Sequence, residues 1–390
     1  MTVRVLSLST LFPNPVRPAF GGFVGNQMAA LARRGDVDLT MLAPIGAPPW
    51  PLSLRAPYAA LAKVPASSST AGAVALHPRF RLLPLVGGDS NPQRLARAVL
   101  PLVRRLHAEC PFDVVDAQFF FPDGPAAAII AREINVPLTI KARGSDIHRW
   151  GARPRALAQI RAAGMQAAQL LAVSAALKQD MVALGLPEER IAVHYTGLDH
   201  SRFTPTPRAV ARETLGLSEG YFLLATGALI PIKGQTLAIQ ALAELPGTTL
   251  AFAGAGPDET ALKALAGRLN LLDRVRFLGQ VSHAELPLWL SAADALVLPS
   301  EREGLANAWI EALACGTPLI IPDIGGAREV VTAPSAGRIA DRTPAAIAAA
   351  IREILQQSPS QAEVTSHAKR FSWETNAAEL SGHFHRVSKR

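Results

Sequence analysis

Residues 295–321, ALVLPSEREGLANAWIEALACGTPLII, hold two short apolar runs on either side of one helix-forming segment. Ala295–Leu298 and Leu319–Ile321 have the unbroken apolar character of strands buried on both faces. Between them Ala308–Ala314 has helix-forming composition, and Asn307 or Ala306 stands at the cap position. Gly316 and Pro318 end that helix. Strand, helix, strand is the unit of a parallel sheet.

The same stretch sets Glu303 and Glu311 seven intervening residues apart, with Gly304 directly after the first. Glu303 falls in the loop ahead of the helix and Glu311 about one turn inside it. Free backbone amides and the positive end of the dipole collect there, which favours an anionic or hydroxyl-rich ligand. Two carboxylates repel a bare phosphate but accept hydrogen bonds from sugar hydroxyls. The combination points to a ligand with both parts, a nucleotide-sugar. The plainer reading is that both glutamates only complement the helix dipole.

Outward from this unit the rhythm repeats. Strands are expected at Val3–Ser9, Val37–Ala43, Phe80–Leu85, Asp113–Gln118, Val136–Lys141, Gln169–Val173 and Ile191–Tyr195, and then at Tyr221–Thr226, Thr249–Ala253 and Val275–Leu278. Helices fall between them, including Phe23–Arg34, Asn91–Ala108 with a kink or split at Pro101, Pro154–Ala168, Gln235–Ala243 and Trp373–Val387. Residues 44–75 are rich in Pro, Ala and Ser and suggest a mobile loop or short helices. The fold class is α/β, with doubly wound parallel sheets. At 390 residues the chain fits two domains. Thr204-Pro205-Thr206-Pro207 breaks the pattern and marks a linker near residues 198–218. The expected domains are 1–200 and 201–370, with a terminal helical segment at 371–390.

Composition narrows the class. Apolar residues make up 49% and charged residues 18%, as in a globular protein. No apolar run is long enough for a membrane span, and MTVRVLSLST is too short for a signal-peptide core. Cys110 and Cys315 imply no disulfide framework, are expected to be inert packing thiols, and suit a cytoplasmic setting. Residues 1–200 contain 21 Lys+Arg and 13 Asp+Glu, which places the whole excess of +8 in the first half. That half therefore suits an anionic partner. Interleaved stacking aromatics are scarce, so nucleic acid is not expected, and an anionic membrane surface or phosphorylated acceptor fits better. Asn91–Ala108, with Arg94, Arg97, Arg104 and Arg105 among apolar residues, is either an interfacial helix or an ordinary amphipathic helix packed on a sheet.

Further constellations follow strand ends. Gly21-Gly22 precedes a helix, where glycine lets amides approach a phosphate. Lys233-Gly234 follows Tyr221–Thr226, and a lysine there can neutralise a diphosphate leaving group. Lys141, Arg143 and Asp146 follow another apolar strand and are either cleft residues or a surface ion cluster. Gly254-Ala255-Gly256 lacks the acidic partner of a dinucleotide site. No metal-ligand spacing and no nucleophile elbow is present.

Taken together, these motifs resemble the family 4 retaining glycosyltransferases of the GT-B class. The likeness is carried by Gly21-Gly22, Arg143-Gly144-Ser145-Asp146, Tyr195-Thr196-Gly197-Leu198-Asp199, Lys233-Gly234, and Glu303 to Glu311 with ALACGTPLI after it. PNPVRPAFGGFVGNQMAAL and Phe121-Pro122-Asp123-Gly124 look closest to the teichuronic-acid and exopolysaccharide branch. The resemblance implies two facing Rossmann-like domains, the first on the acceptor side and the second binding the nucleotide-sugar, with the terminal helix packing back toward the first. It implies that Glu311 holds the donor's ribose, and that Glu303 with the amides of Gly304, Leu305 and Ala306 holds its sugar. Lys233 would bind the diphosphate, with Gly21-Gly22 near it from the other domain, and the base would lie near Gln280 and Val281. The donor would be UDP- or GDP-linked, the acceptor a glycan or polyprenyl-diphosphate-linked sugar, and no metal is expected.

Arg143 stands where many relatives have histidine, and Gly227-Ala228-Leu229-Ile230 lacks the arginine many carry before the lysine. Arg143 or Lys141 is therefore expected to supply the missing phosphate neutralisation, and Asp146 to orient the acceptor. The setting implied is the cytoplasm or the inner face of the plasma membrane. An epimerase of the same fold class, or a non-catalytic sugar-nucleotide-binding protein, is the alternative.

Overall fold

The computed structural model describes residues 2–389 apart from 57, 71, 84 and 218. The chain forms two compact units, residues 1–197 with 373–390, and residues 198–372.

The first unit contains β1 (Val3–Leu8), β2 (Val37–Leu42), β3 (Ile45–Ala47), β4 (Ser67–Thr70), β5 (Ala73–Leu76), β6 (Arg79–Arg81), β7 (Val114–Ala117), β8 (Leu138–Ala142), β9 (Gln169–Ala172) and β10 (Ile191–Val193). Its main sheet has the order β10-β9-β8-β7-β1-β2-β5-β4, and β3 pairs with β6 separately. All pairs are parallel except β4 with β5. Strand order reverses at β1, which lies between β2 and β7. Central strands such as β7 are buried on both faces, which accounts for their unbroken apolar sequence.

The second unit contains β11 (Tyr221–Thr226), β12 (Thr248–Ala253), β13 (Val275–Gly279), β14 (Ala295–Val297), β15 (Leu319–Ile321) and β16 (Gly337–Ile339) in the order β13-β12-β11-β14-β15-β16. This is a doubly wound sheet whose order reverses between β11 and β14.

The structure departs from the sequence reading in several places. Residues 44–75 hold the short helices Leu52–Leu54 and Tyr58–Leu61, as one of the two readings had it, and in addition the β4–β5 hairpin, whose alternation is carried by Ala73 and Ala75 facing inward while Val74 is exposed. Alanine makes that alternation faint in the sequence. The helix Asn91–Glu109 runs unbroken through Pro101. Pro101 and Arg97, four residues earlier, both lie on the exposed face, so solvent serves the carbonyl that loses its partner. The apolar face of that helix, Leu95, Ala96, Val99 and Val103, is fully buried. It packs within the unit as an ordinary amphipathic helix. Pro84, in the expected strand Phe80–Leu85, and Ser218, at the end of the expected linker, lie outside the described residues, as do Pro57 and Ala71. The linker stretch also holds a helix, Arg208–Thr214. No helix of the described residues is long and apolar enough to cross a membrane.

The terminal helix Trp373–Val387 completes the first unit's core. Trp373, Leu380, Phe384 and Val387 pack with Val3, Val24, Met28 and Leu31. Asn376 donates to the Tyr195 carbonyl at 2.5 Å, and Ser381 donates to Asp36 at 2.8 Å. Gly197 is required beneath Trp373, because a β-carbon there would lie 2.4 Å from the indole. Trp373→Ala is therefore expected to cost about 3–5 kcal/mol of the first unit's stability, read as a lowered denaturant midpoint. A loss below about 1 kcal/mol would contradict this role for the helix.

Candidate functional site

The second unit's switch point carries the candidate site. The chain leaving β11 forms a short 3₁₀ turn, Pro231–Lys233, ending at Gly234 in the left-handed conformation with φ 70°. A β-carbon at Gly234 would lie 2.3 Å from the Pro299 carbonyl oxygen, so only glycine lets this loop meet the one after β14. Glu301 donates its amide to the Ile232 carbonyl at 2.7 Å and ties the two loops together. Gly325, with φ 47°, backs the Glu303-Gly304 loop from the far side, and Gly326 donates to the Gly304 carbonyl at 2.7 Å. The result is a backbone clamp on either side of Glu303.

Within that clamp Lys233 Nζ lies 2.5 Å from Glu303 Oε1. Their side chains are 26% and 14% exposed, so the pair is shielded but reachable. Seventy residues apart in sequence, the two groups meet because β11 and β14 are neighbours. The helix Asn307–Ala314 begins after Ala306, which has no side chain to cap it. The Trp309 amide bonds the Ala306 carbonyl at 3.1 Å, which leaves the amides of Asn307 and Ala308 open to a ligand. Glu311 is half-buried in this helix, and its carboxylate makes no hydrogen bond among the described residues. Burial raises its pKa to about 7, against the opposing pull of the Arg202 charge. Val281 follows β13 and is half-buried.

Gly254 and Gly256 have a packing role. β-carbons there would lie 1.8 Å from the Gly227 oxygen and 2.2 Å from the Leu229 oxygen, so the glycines let two loops stack. Cys315 is buried, and its thiol is pushed up to about 12 by that burial, with Glu311 adding to it. Cys110, expected to be buried, is exposed.

In the first unit, Gly21 has φ 68° and a β-carbon there would meet Leu11 backbone atoms at 2.6 Å, whereas one at Gly22 would meet nothing within 4 Å. The Gly21 turn is thus obligatory and Gly22 faces open space. Arg143 donates through Nε to the Gln118 carbonyl at 2.8 Å and through Nη2 to the Gln118 and Gln27 side chains at 2.7 and 3.1 Å. Burial lowers its pKa to about 10, which leaves it cationic at neutral pH. Asp146 is fully buried and accepts the amides of Phe120, Arg143, Gly144 and Ile147. These bonds fix the turn after β8.

Lys141, expected to face a ligand, is fully buried. Its Nζ lies 2.9 Å from His194 Nδ1 and donates to Gln27 at 3.2 Å. Burial holds its pKa well below the usual lysine range, with the nearby Arg143 charge adding to the shift. It cannot neutralise a phosphate. His194 passes the connection on, with Nε2 2.9 Å from the Asn376 carbonyl of the terminal helix.

Two groups escaped the sequence reading. Arg202 is exposed; its charge opposes the rise that burial imposes on Glu311, and it adds to the burial that lowers the pKa of His283. Asp123 is buried with Oδ1 unpartnered, and burial raises its pKa to about 7. Nothing local in the sequence marks Arg202, and Asp123 stood only within the Phe121-Pro122-Asp123-Gly124 motif, with no role given to it. Among the described residues no group of three or more His, Cys, Asp or Glu is placed to hold a metal.

Known proteins agree with this architecture. The family described as Glycosyltransferase Family 4 matches residues 22–202, and that described as Glycosyl transferases group 1 matches residues 208–371. The D-inositol 3-phosphate glycosyltransferase 1 of Catenulispora acidiphila is 30% identical over 318 residues, 72% of this chain and 75% of that protein. The chain belongs to glycosyltransferase family 4. The GDP-mannose-dependent alpha-(1-6)-phosphatidylinositol monomannoside mannosyltransferase of Mycolicibacterium smegmatis is 31% identical over 252 residues, 60% of this chain and 66% of the relative. The match spans only 50% of the D-inositol 3-phosphate glycosyltransferase of Thermobispora bispora. Among solved structures, Anabaena HepE in complex with UDP has a TM-score of 0.75 at 20% identity, covering 99% of this chain and 100% of that one. Sucrose-phosphate synthase from Thermosynechococcus elongatus has a TM-score of 0.79 at 19% identity, covering 99% of each chain. The fold of this family 4 glycosyltransferase is of the GT-B class.

Proposed function

We propose that this glycosyltransferase moves a hexosyl or glycuronosyl group, with retention, from a UDP- or GDP-linked donor to a glycan or polyprenyl-diphosphate-linked acceptor in cell-surface polysaccharide synthesis. The observation that carries the reading is the Lys233–Glu303 pair at the second unit's switch point, ahead of an uncapped helix that contains Glu311. Lys233 takes the diphosphate, Glu303 and the Gly304 to Ala306 amides take sugar hydroxyls, and Glu311 takes the ribose. Arg202 is a second cation beside Glu311 on the same unit. The UDP and UDP-glucose complexes of Anabaena HepE, and the GDP-mannose dependence in the mycobacterial relative's name, support a nucleotide-sugar donor.

In this reading the acceptor oxygen attacks the anomeric carbon on the face the diphosphate leaves. The C–O bond to the β-phosphate breaks, and the acceptor proton passes to the departing phosphate oxygen. The barrier falls because fixed charge and amides meet the developing anion. The first unit holds the acceptor, with Arg143, held by Gln118 and Gln27, as a cation beside it, and the enzyme works in the cytoplasm at the inner membrane face.

A thermal-shift panel of nucleotide-sugars is expected to single out UDP- or GDP-linked donors. Slow donor hydrolysis should release the sugar with its anomeric configuration retained, by proton NMR, and EDTA should leave the rate unchanged. Inverted product or magnesium-restored activity after EDTA would defeat the mechanism. Epimerised donor would point instead to the alternative enzyme class.

A further inference from the structure

The first unit carries a cavity of about 230 Å³ at its own switch point. Open α/β sheets bind ligands outside the carboxyl ends of the strands where the order reverses. Thr10, Asn14, Arg17 and Phe20 of the lining follow β1, and Phe121 and Pro122 follow β7, the two strands at that reversal.

The walls are apolar, formed by Phe20, Ile45, Phe80, Leu82, Phe121 and Trp150. The Phe121 and Trp150 rings pack with centroids 4.5 Å apart. Most polar lining groups are already used by the protein. Asn91 accepts the Leu83 amide at 2.9 Å and donates to the Leu83 carbonyl at 3.0 Å. The Asn14 oxygen accepts the amides of Val16 and Arg17, each at 3.1 Å. Thr10 donates its amide to Asp123 at 2.8 Å, and its side chain also bonds Asp123. A sugar entering here would lose hydrogen bonds to water and regain few, whereas a hydrocarbon gains from burial.

What remains is a set of donors. Arg17 makes no ion pair among the described residues, and its guanidinium lies 5.6 Å from the ring centre of Phe20, which is 41% exposed at the mouth. The Asn14 side-chain NH₂ and the Tyr58 hydroxyl make no hydrogen bond to protein among the described residues. A guanidinium and neutral donors beside an apolar chamber complement an anion attached to a hydrocarbon. Just beyond β3, Trp50 and Leu54 are 78% and 68% exposed, with Arg55 also exposed, an aromatic, aliphatic and basic set suited to a lipid surface.

We propose that this cavity binds an apolar chain esterified to a phosphate, with the chain among the rings and the phosphate against Arg17 and Asn14. This deepens the functional reading by making the acceptor lipid-linked, and it rests on that reading only for the ligand's role as acceptor.

Calorimetry of the full chain with farnesyl phosphate, farnesol and inorganic phosphate tests it. Farnesyl phosphate should bind saturably and at least tenfold more tightly than either of the others. Arg17→Glu and Phe20→Asp, at exposed or half-exposed positions that keep the fold, should each weaken it by tenfold or more. Arg17→Glu should leave farnesol binding unchanged. Leu82→Trp, which fills the chamber, should abolish binding while the unfolding midpoint stays near that of the parent. No saturable binding, equal affinity for inorganic phosphate, or insensitivity to all three substitutions would overturn the proposal. Donor binding and hydrolysis are measured in parallel. If they persist while farnesyl phosphate fails, the lipid assignment alone falls, and if they fail the glycosyltransferase mechanism falls with them.

Discussion

Lys233→Ala is expected to lower kcat/KM for sugar transfer by about 10²–10³-fold, the scale of removing one donor from a leaving-group or oxyanion site. The pair geometry makes the loss larger than a missing cation alone would. Glu303 is only 14% exposed and has Lys233 2.5 Å away. Without the lysine, its carboxylate faces the incoming diphosphate unneutralised, and truncating one partner of a shielded charge pair commonly costs about 2–5 kcal/mol. The double variant Lys233→Ala with Glu303→Gln should therefore bind UDP or GDP more tightly than Lys233→Ala by itself, although it will not recover turnover. Additivity of the two single effects would show that the residues act independently. Activity of Lys233→Ala within tenfold of the parent would remove the lysine from the mechanism.

This pair also marks how far the sequence could be read. The helix Asn307–Ala314 and its flanking strands were legible because Gly316 and Pro318 punctuate it and β14 and β15 are unbroken apolar runs. The loop position of Glu303 and the inner position of Glu311 followed from that. Contact with Lys233 was not legible, since it depends on strand order rather than on spacing. Lys141 shows the same limit with the opposite outcome. A lysine after an apolar strand resembles a cleft cation, yet Gln27 and His194, 114 and 53 residues away, close over it. Short-range pattern fixed the elements but could not say which strand-end charges open to a ligand and which are sealed by remote partners. The expected split at Pro101 and the missed Ala73–Leu76 strand have local reasons, an exposed helix face in one and faint alanine alternation in the other.

Donor affinity is expected to rise as pH increases from about 5.5 to 8, through the Glu311 carboxyl. Burial raises that carboxyl to about 7 in the free protein, above its ordinary value of 4.5. The sign follows from linkage. Ribose hydroxyls donating to Glu311 favour the carboxylate, so binding draws its pKa down and expels a proton wherever the free protein is protonated. Below about pH 7 the affinity should fall by at most tenfold per pH unit, and above it the profile should flatten. Calorimetry of UDP and GDP at pH 6, in two buffers of different ionisation enthalpy, should register proton release into the buffer. Glu311→Gln keeps the side-chain size but cannot ionise, so it should weaken binding at pH 8 and remove the proton release. Glu311→Ala should lower turnover by orders of magnitude. The same shift acts on the fold, since a raised carboxyl binds more protons folded than unfolded and costs stability as pH climbs from 4.5 to about 7. Glu311→Gln should therefore be more stable than the parent at pH 8 while binding donor less well. A variant that loses both stability and affinity, or keeps the parent's pH profile, would show that Glu311 supports the helix rather than the ligand.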